Sequence, residues 1–405
     1  NWENITAGKS SIKNIENWDV KDLDINIGGE ITNINAKMLP DKKLKKVISK
    51  QDIFGINAAQ QAMQQSGLID YQTALENKGS EDVNNFRNRS GVFVGSPGNK
   101  YFQQYDFLPL IAKANGNMQK FAENLFTEIH PMWLLRSLPN NVLAYVGITH
   151  NFKGTNHNIT NHAVSGAQAI IEAYNAIQAG QIDRACVVAY DLGTEPQALY
   201  YYDKLGLLSK TSLKPFASSH DGTVLADGAS AIILESESAI KERDGKIYAE
   251  LVDGGSNTEC SGLFSIEEDG NALAKLISAT IAKQQLKPED FALVVAHGNG
   301  NPKSDISEGN ALIKAGFEQT TTTAFKWAMG HTLCASGVLD TCLAIKALNN
   351  KIAPGIPDLN QVTNDCQSLR LSKESQTIST SARHALIINR GFASMNACII
   401  IKNCK

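Results

Sequence analysis

The sequence lacks the marks of several large classes of protein. Its seven cysteines include no Cys-x-x-Cys pair, so we expect neither a zinc site nor a disulfide framework. This cysteine usage predicts a reducing, cytoplasmic location. No uninterrupted apolar run approaches the roughly 20 residues that span a bilayer, so no membrane association is expected. The 38 basic and 41 acidic side chains nearly cancel, which argues against a nucleic-acid partner. No signal peptide is visible, and the lack of a methionine at Asn1 predicts a longer N-terminus.

Helical periods alternate along the 405 residues with short β-branched runs, which is typical of an α/β protein. The strand and glycine turn GVFVGSPGN correspond to ALVVAHGNGN in the second half, and the helix start VSGAQAI corresponds to ASGVLDT. This repeated order predicts a duplicated α/β unit with halves 1–245 and 246–405. The predicted helices are 55–68, 164–179, 271–285 and 335–349, and the predicted strands are 91–95, 184–190, 229–235, 247–252, 292–296 and 385–389.

Residues 100–136 form an additional segment within the first half. The segment starts with the aromatic run YFQQYDFLPL and continues with the helical pattern NMQKFAENLF. It is either a surface insertion that covers the core or a partner interface or tunnel wall. On the second interpretation, Phe107, Leu108 and Phe121 line or support the tunnel or the interface.

The segment ITNHAVSGAQAI, residues 159–170, predicts a turn that leads into a helix. The first position of such a helix meets unpaired backbone N–H groups and the positive end of the helix dipole. A cysteine there would be a reactive thiolate. The residue at this position is Ala163, which has no chemistry of its own.

Three more segments place polar or aromatic side chains in turns, where functional residues are common. VVAHGNGNP carries His297 at the end of a buried strand, FKWAMGHTLCASG carries Lys326 and His331, and NRGFASMNA carries Phe392. Each has a structural alternative, because a strand-end histidine is more often a hydrogen-bonded structural residue and a lone phenylalanine is more often core.

Two other patterns are interpreted as structural. Cys334 lies in a helical apolar stretch, where a single cysteine usually packs as a small hydrophobe. His157 and His162 are five residues apart, which fits no usual metal-ligand spacing on a helix, so no metal site is expected.

Taken in order, these segments resemble the β-ketoacyl synthases, the condensing enzymes of fatty-acid and polyketide synthesis. AHGNGNP, KWAMGHTLCASG and GFASMNA resemble the family's His-Gly-Thr-Gly-Thr, Lys-Ser…Gly-His-Thr and Gly-Phe-Gly-Gly-Thr-Asn motifs. KPFASSHDGTVLADGASAIILE resembles its Pro-Phe-Asp…Arg-Asp-Gly…Gly-Glu-Gly-Ala segment, while WENITAGKSSI and RSLPNNVLAYVGITHNFKGTNHNIT resemble its opening helix and its approach to the active site. The resemblance implies a thiolase-like fold with duplicated αβαβα layered halves and mixed five-stranded sheets, and a first strand before Trp2.

The resemblance also implies roles for the matching residues. His297 and His331 would hold a malonyl thioester carbonyl and stabilise the enolate that develops on decarboxylation. Lys326 would orient that site in a pair with Asp340, which is one methylene shorter than the family's glutamate. Phe392 would be the gate, and Met395 would lie beside it. Ala163 would occupy the position of the family's nucleophilic cysteine.

Several other positions depart from the family pattern, and together these departures suggest a relaxed demand for catalysis. Ala393, Ser394 and Met395 stand where the family has Gly-Gly-Thr, His220 and Thr223 replace an arginine and a phenylalanine, and Asp227 replaces a glutamate.

Three interpretations follow from the resemblance. The first is a chain-length-factor-like partner of a Cys-bearing ketosynthase in a type II polyketide system, with the Cys-less chains of aryl-polyene systems as the nearest likeness. The second is a condensing enzyme with an engineered cysteine-to-alanine change, and the third is a malonyl-carrier decarboxylase. All three imply an acyl carrier protein that delivers the phosphopantetheine arm, no resident cofactor, and a heterodimer or, alternatively, a homodimer.

Overall fold

The computed structural model describes residues 2–21, 23–98, 100 and 105–404. The α-helices are α1 Trp2–Thr6, α2 Lys50–Gln65, α3 Leu68–Lys78, α4 Ser80–Asn88, α5 Leu108–Ala114, α6 Met118–Glu128, α7 Trp133–Ser137, α8 Asn141–His150, α9 Ser165–Gln178, α10 Pro196–Lys204, α11 Glu237–Glu242, α12 Asn271–Lys283, α13 Pro302–Lys314, α14 Lys326–Met329 and α15 Ser336–Asn350. The strands are β1 Lys13–Asn14, β2 Ile27–Gly28, β3 Ser90–Gly95, β4 Asn156–Ile159, β5 Arg184–Leu192, β6 Asp227–Glu235, β7 Glu250–Thr258, β8 Phe291–Val295, β9 Thr322–Thr323, β10 Ile352–Ala353, β11 Gln376–Thr377, β12 His384–Gly391 and β13 Met395–Lys402.

Two mixed sheets carry the fold, one in each half. The first has the order β4-β3-β5-β6 and the second the order β7-β13-β12-β8-β9. In the first, β3 runs parallel to β4 and β5, and β6 runs antiparallel to β5. In the second, β8 runs parallel to β9 and β12, while β13 runs antiparallel to β12 and β7. The inner strands β5 and β8 are continuous buried runs, because a strand covered on both faces has no solvent side.

The layers follow from which elements pack together. Helices α9 and α15 contact strands of both sheets and form the central layer. Helices α2 and α8 cover the outer face of the first sheet, and α12 and α13 lie on the outside of the second. The resulting five layers, αβαβα, confirm the predicted thiolase-like α/β fold.

One feature of the predicted fold is wrong for the first half. Five-stranded sheets are expected in both halves, but only the second sheet has five strands among the described residues. In the first sheet, no described strand runs along the outer side of β6, which is the position that β7 takes beside β13 in the second. Of the described residues, only Gly29 bridges the start of β6, where its carbonyl accepts from the Asp227 N–H at 2.9 Å.

Most predicted helices and strands have both ends within two residues of the observed ones, and two elements, α2 and β7, differ by more. Helix α2 begins at Lys50, five residues before the predicted start, because Ser49 and Asp52 form a capping box in which the Ser49 N–H donates to the Asp52 carboxylate at 2.8 Å. The strand predicted at 247–252 begins instead at Glu250, since Ile247 and Tyr248 lie exposed before it.

A single buried apolar cluster runs through the central layer into both sheets, with Ile170 of α9, Val187 of β5 and Leu386 of β12 among its members. In the part of the chain that the structure describes, no helix combines the length and the apolar character needed to cross a bilayer.

Candidate functional site

The turn before α9 holds Ala163 beneath the surface, with no exposed area. His162 precedes it in the left-handed conformation, with φ of 51°, which is uncommon for a residue other than glycine. The hydroxyl of Ser165 fixes this turn, because it accepts from the Asn161 N–H and donates to the His162 carbonyl, both at 2.7 Å. The turn therefore places residue 163 just before the start of α9, as the sequence predicts, but the side chain at this position is only a methyl group.

The second half contains the same turn before α15. Leu333 has φ of 46° and is followed by Cys334, so Cys334 occupies the position equivalent to Ala163. The two helix starts touch each other directly: a Cβ added at Gly166 would lie 2.6 Å from the Cys334 carbonyl oxygen. Burial and the neighbouring Asp191 carboxylate hold the pKa of the Cys334 thiol well above its usual value. This thiol therefore stays protonated and is not a nucleophile.

His297 and His331 lie next to each other, with ring centroids 5.1 Å apart and nearly perpendicular planes. The backbone N–H of Arg390 donates to Nδ1 of His297 at 3.3 Å, so Nε2 of the neutral His297 ring carries the proton. Nδ1 of His331 lies 3.2 Å from the Ser336 hydroxyl. The second-half strand end and the Gly-His-Thr turn thus bring together the two histidines that the sequence singles out.

The environment keeps both rings neutral. Burial lowers the pKa of His297 well below its usual value, and the positive charges of Lys326 and Arg390 lower it further. Burial and Lys326 likewise lower the pKa of His331. Two neutral imidazoles donate hydrogen bonds without carrying charge, which is the form that binds a carbonyl or enolate oxygen.

The backbone of His297 is held by a buried carboxylate on α13. The N–H groups of His297 and Gly298 donate to Glu308 at 2.6 and 2.9 Å. Burial raises the pKa of Glu308 to about 7, although these two donors oppose the shift.

Lys326 and Asp340 form a buried ion pair with 2.9 Å between Nζ and Oδ2. Asn389 adds a hydrogen bond to the same carboxylate oxygen at 3.3 Å. The shorter aspartate therefore still reaches the lysine. Both charges are almost fully buried and depend on each other, because an unpaired charge at this depth would be costly.

Phe392 belongs to an aromatic stack that includes His162, the residue before Ala163. Its ring lies parallel to the imidazole of His162, 4.3 Å away, and 5.2 Å from the ring of Tyr202, while Phe264 meets it edge-on. The Phe392 N–H donates to Nδ1 of His162, and Nε2 of His162 lies 2.6 Å from the Tyr202 hydroxyl. Burial lowers the pKa of His162 to about 4, so this ring is neutral.

The turn after Phe392 is fixed from the side of the loop 259–267. Ala393 and Ser394 both have φ near 60°, although neither is a glycine. The Ala393 N–H donates to the Leu263 carbonyl at 2.7 Å, and the Ser394 hydroxyl donates to the Gly262 carbonyl at 2.8 Å. The segment predicted as the gate is therefore tied to its neighbour at several points.

Below the turn lies an ion-paired arginine that supports it. Arg390 donates to Glu259 at 2.7 Å, to the side chain of Asn396 at 3.0 Å and to the Ser304 carbonyl at 2.8 Å. These contacts anchor the base of the turn and occupy the carboxylate of Glu259.

The two histidines and the gate open into one cavity of about 80 Å3, which is room for a few water molecules. Met395 lies in its wall, as the sequence predicts. The residues around the cavity that matter below are His162, Tyr202, Thr223, Glu259, Phe264, His297, His331, Arg390, Phe392 and Met395.

The described residues of the insertion do not line this cavity. Phe107, Leu108 and Phe121 are absent from its lining, and their role at the tunnel or the partner interface stays a prediction. Phe107 instead stacks on Phe121 at 6.5 Å and meets Trp133 edge-on at 5.1 Å, and Leu108 is 56% exposed. Residues 101–104, the first aromatic part of this segment, lie outside the described residues.

Sequence reasoning missed several residues of the site. His162 was considered only as a metal ligand, but it lies in the gate stack, while His157 is on β4 against Phe93. Tyr202 lies outside the segments that the sequence singles out. Arg390 lies within NRGFASMNA, but its role depends on contacts with residues distant in the chain. The described ranges contain no cluster of three or more His, Cys, Asp or Glu side chains arranged to hold a metal ion.

Comparisons with known proteins cover the whole chain. The family models for the β-ketoacyl synthase N-terminal and C-terminal domains match residues 1–239 and 248–360. The chain is 24% identical over 420 residues to 3-oxoacyl-(acyl-carrier-protein) synthase 2 of Staphylococcus aureus, covering 99% of this chain and 96% of that protein. Among solved structures, a β-ketoacyl synthase from Burkholderia phymatum superimposes on this chain with a TM-score of 0.87 at 19% identity. The ishigamide ketosynthase/chain length factor superimposes with a TM-score of 0.85 at 17% identity. Each superposition covers 100% of this chain and 94% of the other chain.

Proposed function

The chain belongs to the β-ketoacyl synthase family, and we propose that it acts there as a non-condensing subunit. It pairs with a Cys-bearing ketosynthase, as a chain length factor does, and helps to shape the tunnel for the acyl chain. We place it in a type II polyketide or aryl-polyene system that uses an acyl carrier protein.

The observation that carries the proposal is the methyl group at Ala163. The turn, the helix start and the two histidines around it are all built, yet no thiol is available to accept an acyl chain. Cys334 cannot replace the missing nucleophile, because the Cys334 thiol is buried and protonated and belongs to the equivalent turn of the second half. Ser165 cannot replace it either, because its hydroxyl is used on both sides to hold the turn.

A second observation supports a subunit that does not take up the chain itself. The stack of His162, Tyr202 and Phe392 lies next to position 163, since His162 directly precedes it, and the turn after Phe392 is tied to the loop 259–267. An acyl chain that needs this entrance must break several contacts at once. We infer that the growing chain is held on the partner's cysteine.

The surface offers a place for that partner on the first half. Strand β4 pairs only with β3 among the described residues, so its other edge is open. Helix α8 packs on β3 and β4 and exposes Ile148, and the helices α5 to α7 that precede it expose further apolar side chains. The exposed apolar residues of these four helices, called here the apolar surface, include Leu108, Ile111, Met118, Phe126, Leu134 and Ile148. Exposed apolar side chains and an open strand edge in the same half fit a second chain of the same fold, which has the matching edge.

Native mass spectrometry of this chain, co-expressed with the Cys-bearing ketosynthase from the same gene neighbourhood, tests the proposal. We expect a one-to-one complex. Phe126→Glu, at a side chain that is 84% exposed, should weaken it. Ile247→Glu is the matched control, since Ile247 is 50% exposed but lies outside the apolar surface. A stable homodimer that ignores the ketosynthase would refute the partner role.

The histidine pair favours one second candidate, a malonyl-carrier decarboxylase that works without a thiol. Two neutral imidazoles 5.1 Å apart are suited to an enolate oxygen. Carbon dioxide release from malonyl carrier protein decides between the two functions. Under the partner role the chain alone releases almost none, whereas under the decarboxylase role release is rapid and His297→Ala or His331→Ala abolishes it.

A further inference from the structure

Thr223 carries a buried hydroxyl that has no hydrogen-bond partner among the described residues. The residue is 3% exposed and lies in the wall of the cavity, together with His297 and His331. Burying a hydroxyl without a partner is costly, so such groups in a folded protein are usually there to meet something.

The hydroxyl is the only polar group of Thr223 that is free to bind a ligand, because its backbone groups are already hydrogen-bonded. Its N–H donates to the Leu207 carbonyl and its carbonyl accepts from the Ser209 N–H, both at 2.8 Å. The next residue, Val224, accepts from the backbone N–H of His331 at 2.7 Å. Thr223 is therefore held rigidly, one residue away from the segment that positions a histidine of the site.

The cavity thus presents hydrogen-bond donors and no free anion. Nε2 of His297 carries a proton, and the hydroxyl of Thr223 is unused. The carboxylate in the lining, Glu259, is already engaged by Arg390 and Asn396. A ligand that fills this space must bring acceptor oxygens, and it gains most if one of them is charged.

We propose that Thr223 binds the terminal carboxylate of a carboxyacyl thioester, while His297 and His331 hold the thioester carbonyl. This inference rests on the second candidate function, the malonyl-carrier decarboxylase, because it names the substrate class that the same cavity would take. Thr223 is then the residue that distinguishes a malonyl-type group from a simple acyl group, since only the former has a second acceptor at the far end. The likeness to the family places a phenylalanine here, which could not make this bond.

Isothermal titration of the purified chain with two probes tests the inference. The probes are the amide analogues of malonyl-pantetheine and acetyl-pantetheine, in which NH replaces the sulfur so that the ligand is stable. We expect tighter binding of the malonyl probe. Thr223→Val keeps the shape and removes the hydroxyl, and it should weaken malonyl binding by about tenfold or more while changing acetyl binding less than about twofold.

Two further variants keep the result interpretable. Thr223→Ser retains the hydroxyl and should retain the preference for the malonyl probe. Thr341→Val is the matched control, because Thr341 is equally buried but donates to the Gly337 carbonyl on α15. Thermal unfolding of each variant shows whether the fold is intact.

Wild-type protein without a preference for the malonyl probe, or a Thr223→Val variant that binds both probes as the wild type does, would overturn the inference. Its failure differs from failure of the proposed function. A chain that prefers the malonyl probe but forms no complex with the ketosynthase would refute the partner role and leave Thr223 as the carboxylate-binding residue.

Discussion

The imidazole of His162 lies flat against the ring of Phe392, with centroids 4.3 Å apart and planes 11° from parallel. One residue of this pair directly precedes position 163, and the other comes from the turn between β12 and β13. Their contact therefore joins the two halves next to residue 163. It limits how easily a reagent or an acyl group could reach a cysteine introduced at that residue.

Ala163→Cys alone should not produce a condensing enzyme. The helix start would favour the thiolate, but the aromatic stack restricts access to it. We expect iodoacetamide to alkylate the introduced thiol about tenfold more slowly in A163C than in A163C/F392A, which corresponds to an opening cost of about 1.4 kcal/mol. Peptide mass spectrometry measures this rate separately from the seven natural cysteines. Rapid acyl transfer from carrier protein followed by condensation in the single variant would instead favour a trapped condensing enzyme.

Removing one partner of the Lys326–Asp340 pair should be strongly destabilising. Lys326→Met leaves a carboxylate buried without its cation, and we expect the free energy of unfolding to fall by about 3–5 kcal/mol. The double variant K326M/D340L removes both charges and should recover much of that loss. Lys241→Met is the control: it breaks a fully exposed pair with Glu237 and should leave the free energy of unfolding nearly unchanged. Urea unfolding at pH 7.5 gives all three values.

Acid should destabilise the gate stack through His162. Its pKa is about 4 in the folded chain and ordinarily 6.5, so the folded state binds fewer protons than the unfolded state between these values. Stability therefore falls as the pH drops from 6.5 towards 4. For this partly exposed residue the loss between pH 7.5 and pH 5 is at most about 2 kcal/mol.

His162→Asn tests this dependence, because asparagine tolerates the left-handed backbone and does not titrate. The variant should be less stable than wild type at pH 7.5, yet lose less stability on going to pH 5. His130→Asn, at an exposed histidine, should keep the wild-type difference. Equal losses in H162N and wild type would contradict the assignment of His162 as a ring that stays neutral in the folded chain.

The contact between the central helices should not accept a methyl group. A Cβ added at Gly337 would lie 2.3 Å from the Ala167 backbone nitrogen, so Gly337→Ala must push α9 and α15 apart. We expect a loss of about 3 kcal/mol or more, or failure to fold. Gly147→Ala is the matched change inside α8, where the nearest atom is 3.5 Å away, and it should be neutral or slightly stabilising. Thermal unfolding of the two variants makes the comparison.

The parts of the fold that follow from local patterns could be predicted from the sequence. The buried runs of β5 and β8 and the paired helix starts at Ser165 and Ser336 have short-range signals, and their repetition indicated the duplicated fold. The four-stranded first sheet could not be predicted, because strand pairing at the edge of a sheet depends on which other segments reach it.

The site divides in the same way. His297, His331, Lys326 and Phe392 lie in turns with recognisable residue patterns, and the structure brings them together. His162 and Thr223 also lie in segments that the sequence singles out, but nothing in those segments indicates their roles. One acts through a ring that stacks on a residue 230 positions away, and the other through a hydroxyl that lacks a partner, and neither property is visible in a linear sequence.

The close approach of Gly166 and Gly337 also limits how this molecule can move. Where the two helix starts meet, backbone lies against backbone, and there is no layer of side chains that could change rotamers and absorb a displacement. The turns that carry Ala163 and Cys334 consequently form one stiff block shared by both halves. Any movement that admits a ligand has to occur in the turn 391–395 and the loop 259–267, which line the cavity, while the two helix starts stay fixed.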